Sequence, residues 1–334
     1  MTTPTSPPQS SRLKRTDSVG DDWVQFFATH DAPQNYKEKR EKMHSFAEEH
    51  FKKQTKVVLI TSGGTAVPME SRTVRFIDNF SSGTRGAASA EYFLSEGYAV
   101  IFLFRHKSLE PYMRHFSRHS FLDMLQIDSE TDNSQIITVD QTKAPNMLEL
   151  LKSYQTVKTS KRLLSVEYVF LQEYLYLLRA AAEALHFAGS KAMFYLAAAV
   201  SDFYIPGQDM PEHKIQSSDG PPQISLCKVP KMLAPLVRHW ATKAFVTSFK
   251  LETDKDLLLK KARQALIKFN HQVVIANILE DRRRQVTIVT QDKHFTISLT
   301  EEELSHEADI EEHIVKKLTE QHAQFITENG NGST

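Results

Sequence analysis

The sequence predicts an α/β fold: a three-layer sandwich with helices on both faces of a largely parallel sheet. Three observations carry this. Short apolar runs recur along the chain, at Val57–Ile60, Tyr98–Phe104, Ala192–Val200, Ala244–Phe249 and Val273–Ala276, with the composition of strands covered on both faces. Helix-forming stretches separate them, among them Ala87–Leu94 and Asp256–Phe269, so strand and helix alternate as in right-handed βαβ crossovers. Small and polar residues gather where the runs end, at Ser62–Thr65, Ser201–Asp202 and Asn277. That is the edge where doubly wound, Rossmann-like sheets bind ligands.

Composition narrows the class. Lys+Arg and Asp+Glu balance at 41 each over 334 residues, so no global field selects nucleic acid or an anionic membrane. Hydrophobic residues at 40% and charged ones at 25% describe an ordinary soluble globular protein. Cys227 is the single cysteine, which excludes an intrachain disulfide and a cysteine zinc site and suits a reducing compartment. The longest apolar run, Ala192–Val200, is too short to span a bilayer, and the N-terminus lacks the apolar core of a secretory signal. A cytoplasmic or nuclear setting is expected.

Taken in order, Met1–Asp22 is rich in Thr, Ser and Pro and reads as a disordered tail. Residues 23–55 read as a helical extension, with Tyr36, Met43, Phe46, Ala47 and Phe51 on one narrow stripe. The central unit is Lys56–Gly97: a buried strand, a turn at Gly63–Gly64, a loop, and then Asn79–Gly86 leading into a helix. Glycines and serines let backbone amides approach an anion, and a helix start adds partial positive charge, so a phosphate-bearing ligand is expected here. The competing reading is that these glycines only turn the chain.

Tyr98–Phe104 forms the next strand, with Arg105 and His106 just beyond it. His115 and His119 stand four apart without a third ligand, so no metal site is expected of them. Ile136–Val139 reads as a short strand, and Leu163–Phe187 as a long helix with two apolar stripes, either deeply buried or part of a dimerisation region. Pro206–Pro222 is a long polar loop holding Lys214, of the kind that serves as a lid. After an amphipathic piece at Ile224–Val229 comes a helix over Lys231–Thr242. Arg282–Arg284 reads as a solvated charge run, and Val286–Val289 with His294–Leu299 as a hairpin. A helix over Glu301–Ile326 closes a single catalytic domain, 56–326, before a polar tail at 327–334.

The stretches TSGGT, VRFIDNFSSGTRG, AAAVSDF, HKIQS, SFKLETD and ANIL follow one another between Lys56 and Gln324. In them the chain resembles the phosphopantothenoylcysteine synthetase family of the eukaryotic, stand-alone type, with Leu109–Thr159 matching least. The resemblance implies a phosphopantothenate–cysteine ligase of coenzyme A biosynthesis. It would use ATP with Mg²⁺ to form 4′-phosphopantothenoyl adenylate, then join the acyl group to cysteine, releasing AMP and pyrophosphate. Bacterial members use CTP and are commonly fused to a decarboxylase, for which the stretch before Lys56 is too short.

By the family's motifs, Gly63, Ser81, Gly83 and Gly86 would cradle the nucleotide phosphates, Phe249 would pack on the base, and Asn277 would bond in the nucleotide pocket. Asn79, Ala198, Ala199 and Asp202 would hold phosphopantothenate or its adenylate. Lys214 would close over the intermediate from its loop. Arg75 would reach the substrate phosphate in the partner subunit of a homodimer. Bacterial members often carry a second lysine where Gln216 stands, and the motifs leave the metal ligands unassigned. Two rivals stay open. A Rossmann-type NADP-dependent oxidoreductase is opposed by the missing G-x-G-x-x-G after the first strand, although Arg105 suits a 2′-phosphate. A non-catalytic regulatory relative would be expected to lose Asn79, Asp202 or Lys214, all of which are present.

Overall fold

The structure is a computed structural model that describes residues 22–116, 120–128 and 136–330. The expected disordered tail, apart from Asp22, lies outside these residues, as do His119 and residues 331–334.

The sheet is built outward from its most apolar strand. β1 (Val57–Ser62) is buried at every position and pairs in parallel with β2 (Ala99–Arg105) on one side and β4 (Ala192–Leu196) on the other. β3 (Leu163–Tyr168) adds to β2. β5 (Phe245–Glu252) and β6 (Val273–Ile278) add in parallel beyond β4, and the hairpin β7 (Gln285–Val289) and β8 (His294–Ser298) closes that side antiparallel. The spatial order is therefore β3-β2-β1-β4-β5-β6-β7-β8. The chain reverses its direction of travel between β1 and β4, and that switch point opens a crevice at their carboxyl ends.

Successive side chains of a strand point to opposite faces, and the core divides accordingly. Val57 and Leu59 face a layer containing α1 (Asp22–Thr29), α2 (Tyr36–Lys52) and α5 (Leu171–Leu185). Val58 and Ile60 face α3 (Thr84–Ser95), the edge of α4 (Met147–Ser160) at Val157, and the C-terminal helix. α6 (Lys255–Phe269) covers β6 through Leu258, Ala262 and Leu266. The three-layer α/β sandwich with a C-terminal hairpin is as expected.

Several elements differ from the sequence reading. Leu163–Phe187 is not one helix. Its first part is the edge strand β3, because Leu164, Val166 and Tyr168 repeat at a spacing of two and Tyr168 donates its hydroxyl to the Ser62 carbonyl at 2.8 Å. The helix starts at Leu171, where Glu173 accepts the Val169 amide at 2.8 Å. α5 is apolar on two faces because it is sandwiched inside its own chain, between the sheet and α1 with α2. Burial within the chain accounts for both apolar stripes.

The expected strand Ala192–Val200 stops at Leu196, and Ala197–Val200 turns into the crevice wall. The closing helix is broken into α7 (Glu301–Ser305), started by a Thr300–Glu303 capping box, and α8 (Ile310–Gly330). Glu307 takes a left-handed conformation at the break, and α8 continues into the stretch expected as a polar tail. Helical structure around Lys231–Thr242 is confined to Leu233–Trp240.

Candidate active site

The crevice floor is made by backbone. Beyond β1 and β4 the parallel pairing resumes for one step: the Ala199 amide donates to Gly63 at 2.8 Å and the Thr65 amide to Ala199 at 3.1 Å. Thr61 and Thr65 use their hydroxyl oxygens to accept the amides of Ala198 and Ser201 at 3.1 and 2.9 Å. These bonds hold Ala198 and Ala199 beside Gly63.

Asn79 stands over the same floor. A small hairpin of Ala66–Pro68 and Phe76–Asp78, not foreseen from sequence, carries it back, and its amide donates to Thr65 at 3.2 Å. A Cβ on Gly64 would lie 1.7 Å from the Asn79 carbonyl oxygen, so only glycine lets Asn79 sit this close. Arg105 completes the arrangement, donating to the Gly64 carbonyl at 2.9 Å and pairing with Asp78 at 2.8 Å. Arg105 is thereby engaged within the fold, which disfavours the expectation that it holds a ribose phosphate.

Next to this wall stands the start of α3. Gly83 occupies the N-cap without a side-chain cap, so the first-turn amides of the helix are unsatisfied by any capping side chain, and the helix dipole favours an anion before them. Ser62 donates its hydroxyl to the Gly83 carbonyl at 3.1 Å, and Gly86 packs directly on Ser62. Ser81 lies half-buried on the approach.

Along β5 and β6, Phe249 meets Tyr195 edge-on at 4.9 Å between ring centres. Arg85 lies over the Phe249 ring at 5.9 Å, pairs with Glu311 at 3.0 Å and donates to the Arg282 carbonyl at 2.5 Å. Burial pushes the Glu311 carboxyl up against the pull of Arg85. Asn277 is buried at the end of β6. Arg85 was missed as a neighbour of Phe249, and Arg282 as the residue whose carbonyl holds it. The only sequence signal was the arginine run at Arg282, read as solvated, because the contact joins positions 197 apart in the chain.

On the opposite lip, Asp202 is exposed and paired with Lys231, while its carbonyl accepts the Val229 amide at 2.9 Å. Lys231 was likewise not singled out in the sequence. Lys214 lies exposed on its loop. Arg75 does not enter its own chain's crevice walls; it bonds Glu70 and the Ile215 carbonyl at 3.4 and 3.0 Å. Gly63, Asn79, Ala198 and Ala199 thus share one wall, with Gly83 and Gly86 on the adjoining helix start.

The family model described as DNA/pantothenate metabolism flavoprotein C-terminal domain matches residues 53–140 and 174–329. Phosphopantothenate–cysteine ligase of Mus musculus is 53% identical over 81% of this chain and 88% of its own length. The ligase of that name from Homo sapiens is 51% identical over the same shares. The chain belongs to the phosphopantothenate–cysteine ligase family. A solved Cab2 variant in complex with phosphopantothenate-cysteine is 42% identical, covers 92% of this chain and 99% of that one, and superposes with a TM-score of 0.83. The family model matches through residue 140 and skips the stretch between 140 and 174, which holds α4 and β3, so it covers the first part of Leu109–Thr159, where the poorest match was expected.

Proposed function

We propose that this chain ligates 4′-phosphopantothenate to cysteine, the reaction of its family, through an acyl-adenylate formed with ATP. The observation that carries the reading is adjacency: the open amides of α3 and the Asn79–Ala198–Ala199 wall meet at the end of β1. A nucleotide phosphate before α3 and an acyl substrate against that wall would bring their reacting atoms together.

The pantothenate carboxylate is a poor acylating agent. Its oxygen attacks the α-phosphorus of ATP and pyrophosphate leaves. The cysteine amine then attacks the acyl carbon, the C–O bond to phosphate breaks, and AMP departs as the amine gives up a proton. Catalysis is mostly orientation and neutralisation of phosphate charge. Gly63, Ser81, Gly83 and Gly86 cradle the phosphates, Phe249 packs on the base with Arg85 above it, and Asn277 bonds the nucleotide. Asn79, Ala198, Ala199 and Asp202 hold the acyl substrate, and Lys214 brings positive charge over it. No group of three or more His, Cys, Asp or Glu side chains suited to a metal occurs among the described residues. This suits Mg²⁺ carried mainly on nucleotide phosphates and water.

The protein works as a homodimer with Arg75 serving the partner's site. In support, Val74, Phe76 and Phe80 around it are 57%, 46% and 92% exposed, an apolar edge of the kind subunits cover. No helix among the described residues is long and apolar enough to cross a membrane. We place the protein in the cytoplasm, a reducing setting that suits its single cysteine.

The test is direct. With ATP, Mg²⁺ and 4′-phosphopantothenate, stoichiometric pyrophosphate is expected without cysteine, and AMP with ligated product once cysteine is added. Absence of both products would leave the regulatory reading. Reduction of NADP without ATP would favour the oxidoreductase.

A further inference from the structure

The turn of the small hairpin contains a carboxylate that the reaction as described does not use. Glu70 is completely buried. It accepts the amides of Arg75 and Val74 at 3.0 and 3.3 Å and faces the Arg75 guanidinium at 3.4 Å. The Arg75 guanidinium in turn donates to the carbonyl of Ile215, the residue after Lys214, at 3.0 Å. Burial alone would raise the Glu70 pKa, but the Arg75 and Val74 amides and the Arg75 charge outweigh it and hold the carboxyl low.

Around this centre the two loops are joined edge to edge. Ser71 and Arg72 donate their amides to the carbonyls of Pro211 and Glu212 at 2.9 and 3.0 Å. Arg72 pairs with Glu212 at 3.2 Å. The outer pairs are exposed and contribute little, whereas an ionised acceptor buried among several N–H donors is strongly held.

We propose that Glu70 is a positioning residue: by holding the Arg75 guanidinium on the Ile215 carbonyl it fastens the Lys214 loop to the hairpin turn, so that Arg75 and Lys214 move as one body. This rests on the ligase reading. Only a carboxylate meets the geometry, because every group facing it donates; glutamine would set its own N–H₂ against those donors.

The experiment measures the pyrophosphate burst without cysteine in wild type, Glu70→Gln, Lys214→Ala and the double variant, with thermal melting as the folding control. Glu70→Gln should slow the burst on the order of tenfold to a hundredfold and raise the KM for phosphopantothenate, while the KM for ATP stays within about twofold. In the Lys214→Ala background the same change should cost less than about twofold further, since coupled residues are non-additive. Glu70→Asp keeps the charge but draws it back from Arg75 by one methylene, so it should show the slow burst in milder form even if Glu70→Gln proves too unstable to assay. A wild-type burst in folded Glu70→Gln or in Glu70→Asp, or equal losses with and without Lys214, overturns the proposal. A wild-type protein that releases no pyrophosphate overturns the ligase reading instead.

Discussion

A Cβ built on Gly86 would lie 2.4 Å from Ser62 Oγ and 2.5 Å from Ser62 Cβ. The sequence reading assigned Gly86 to a phosphate cradle; in the fold it also lets α3 approach β1, which brings the helix start to the crevice. Gly86→Ala must therefore push the helix off the strand. We expect a loss of about 1–3 kcal/mol, the range for overpacking a tight contact, together with a raised KM for ATP. Urea unfolding and initial rates measure the two, and an unchanged KM would show that the helix start does not hold nucleotide. Glycines around a strand–helix turn are legible as a pattern. Which of them meets a backbone, a serine or a ligand depends on partners distant in sequence: Asn79 for Gly64, Ser62 for Gly86.

Elements were legible where one periodicity ruled and illegible where two met. β3 and α5 read as a single helix because leucines satisfy both spacings, and only pairing with β2 separates them. α8 shows the converse: its helical pattern was plain, yet its docking depends on His322, whose ring lies 2.8 Å from both the Tyr98 hydroxyl and the Ser190 carbonyl. Burial pushes His322 down to about 4, and does the same to His271 beneath Ser248. A histidine with a lowered folded-state pKa contributes stability that is complete above its unfolded value near 6.5 and lost as pH falls toward 4. By pH 5 each should have lost about 2 kcal/mol. Denaturation at pH 7 and pH 5 checks this, with His322→Gln expected to lessen the difference; equal stability at both pH values would refute it.

For the whole molecule the question is whether each site is completed by a second copy. Arg75 lies on a hairpin that carries exposed Val74 and Phe76, and in its own chain it bonds Glu70 and Ile215. If it serves the partner, mixing inactive Arg75→Ala dimers with inactive Asn79→Ala dimers should restore about a quarter of the wild-type activity. Half the dimers formed are then mixed, and each has one intact site. If Arg75 serves its own subunit, every site lacks one residue and the mixture stays inactive. Sequence could nominate Arg75 only through the family's motif, since a loop arginine has no periodicity that marks a partner.

By itself the sequence determined the layer architecture, the parallel core strands and the family, because buried strands and ordered motifs are local patterns repeated along the chain. Tertiary structure alone decided that Leu163–Tyr168 is a strand, that Arg85 lies over Phe249 while bonding the Arg282 carbonyl, and that Arg75 is held between Glu70 and the Ile215 carbonyl. Each of these depends on which segments meet in space, and burial and hydrogen bonding between distant residues settle that only once the sheet has formed.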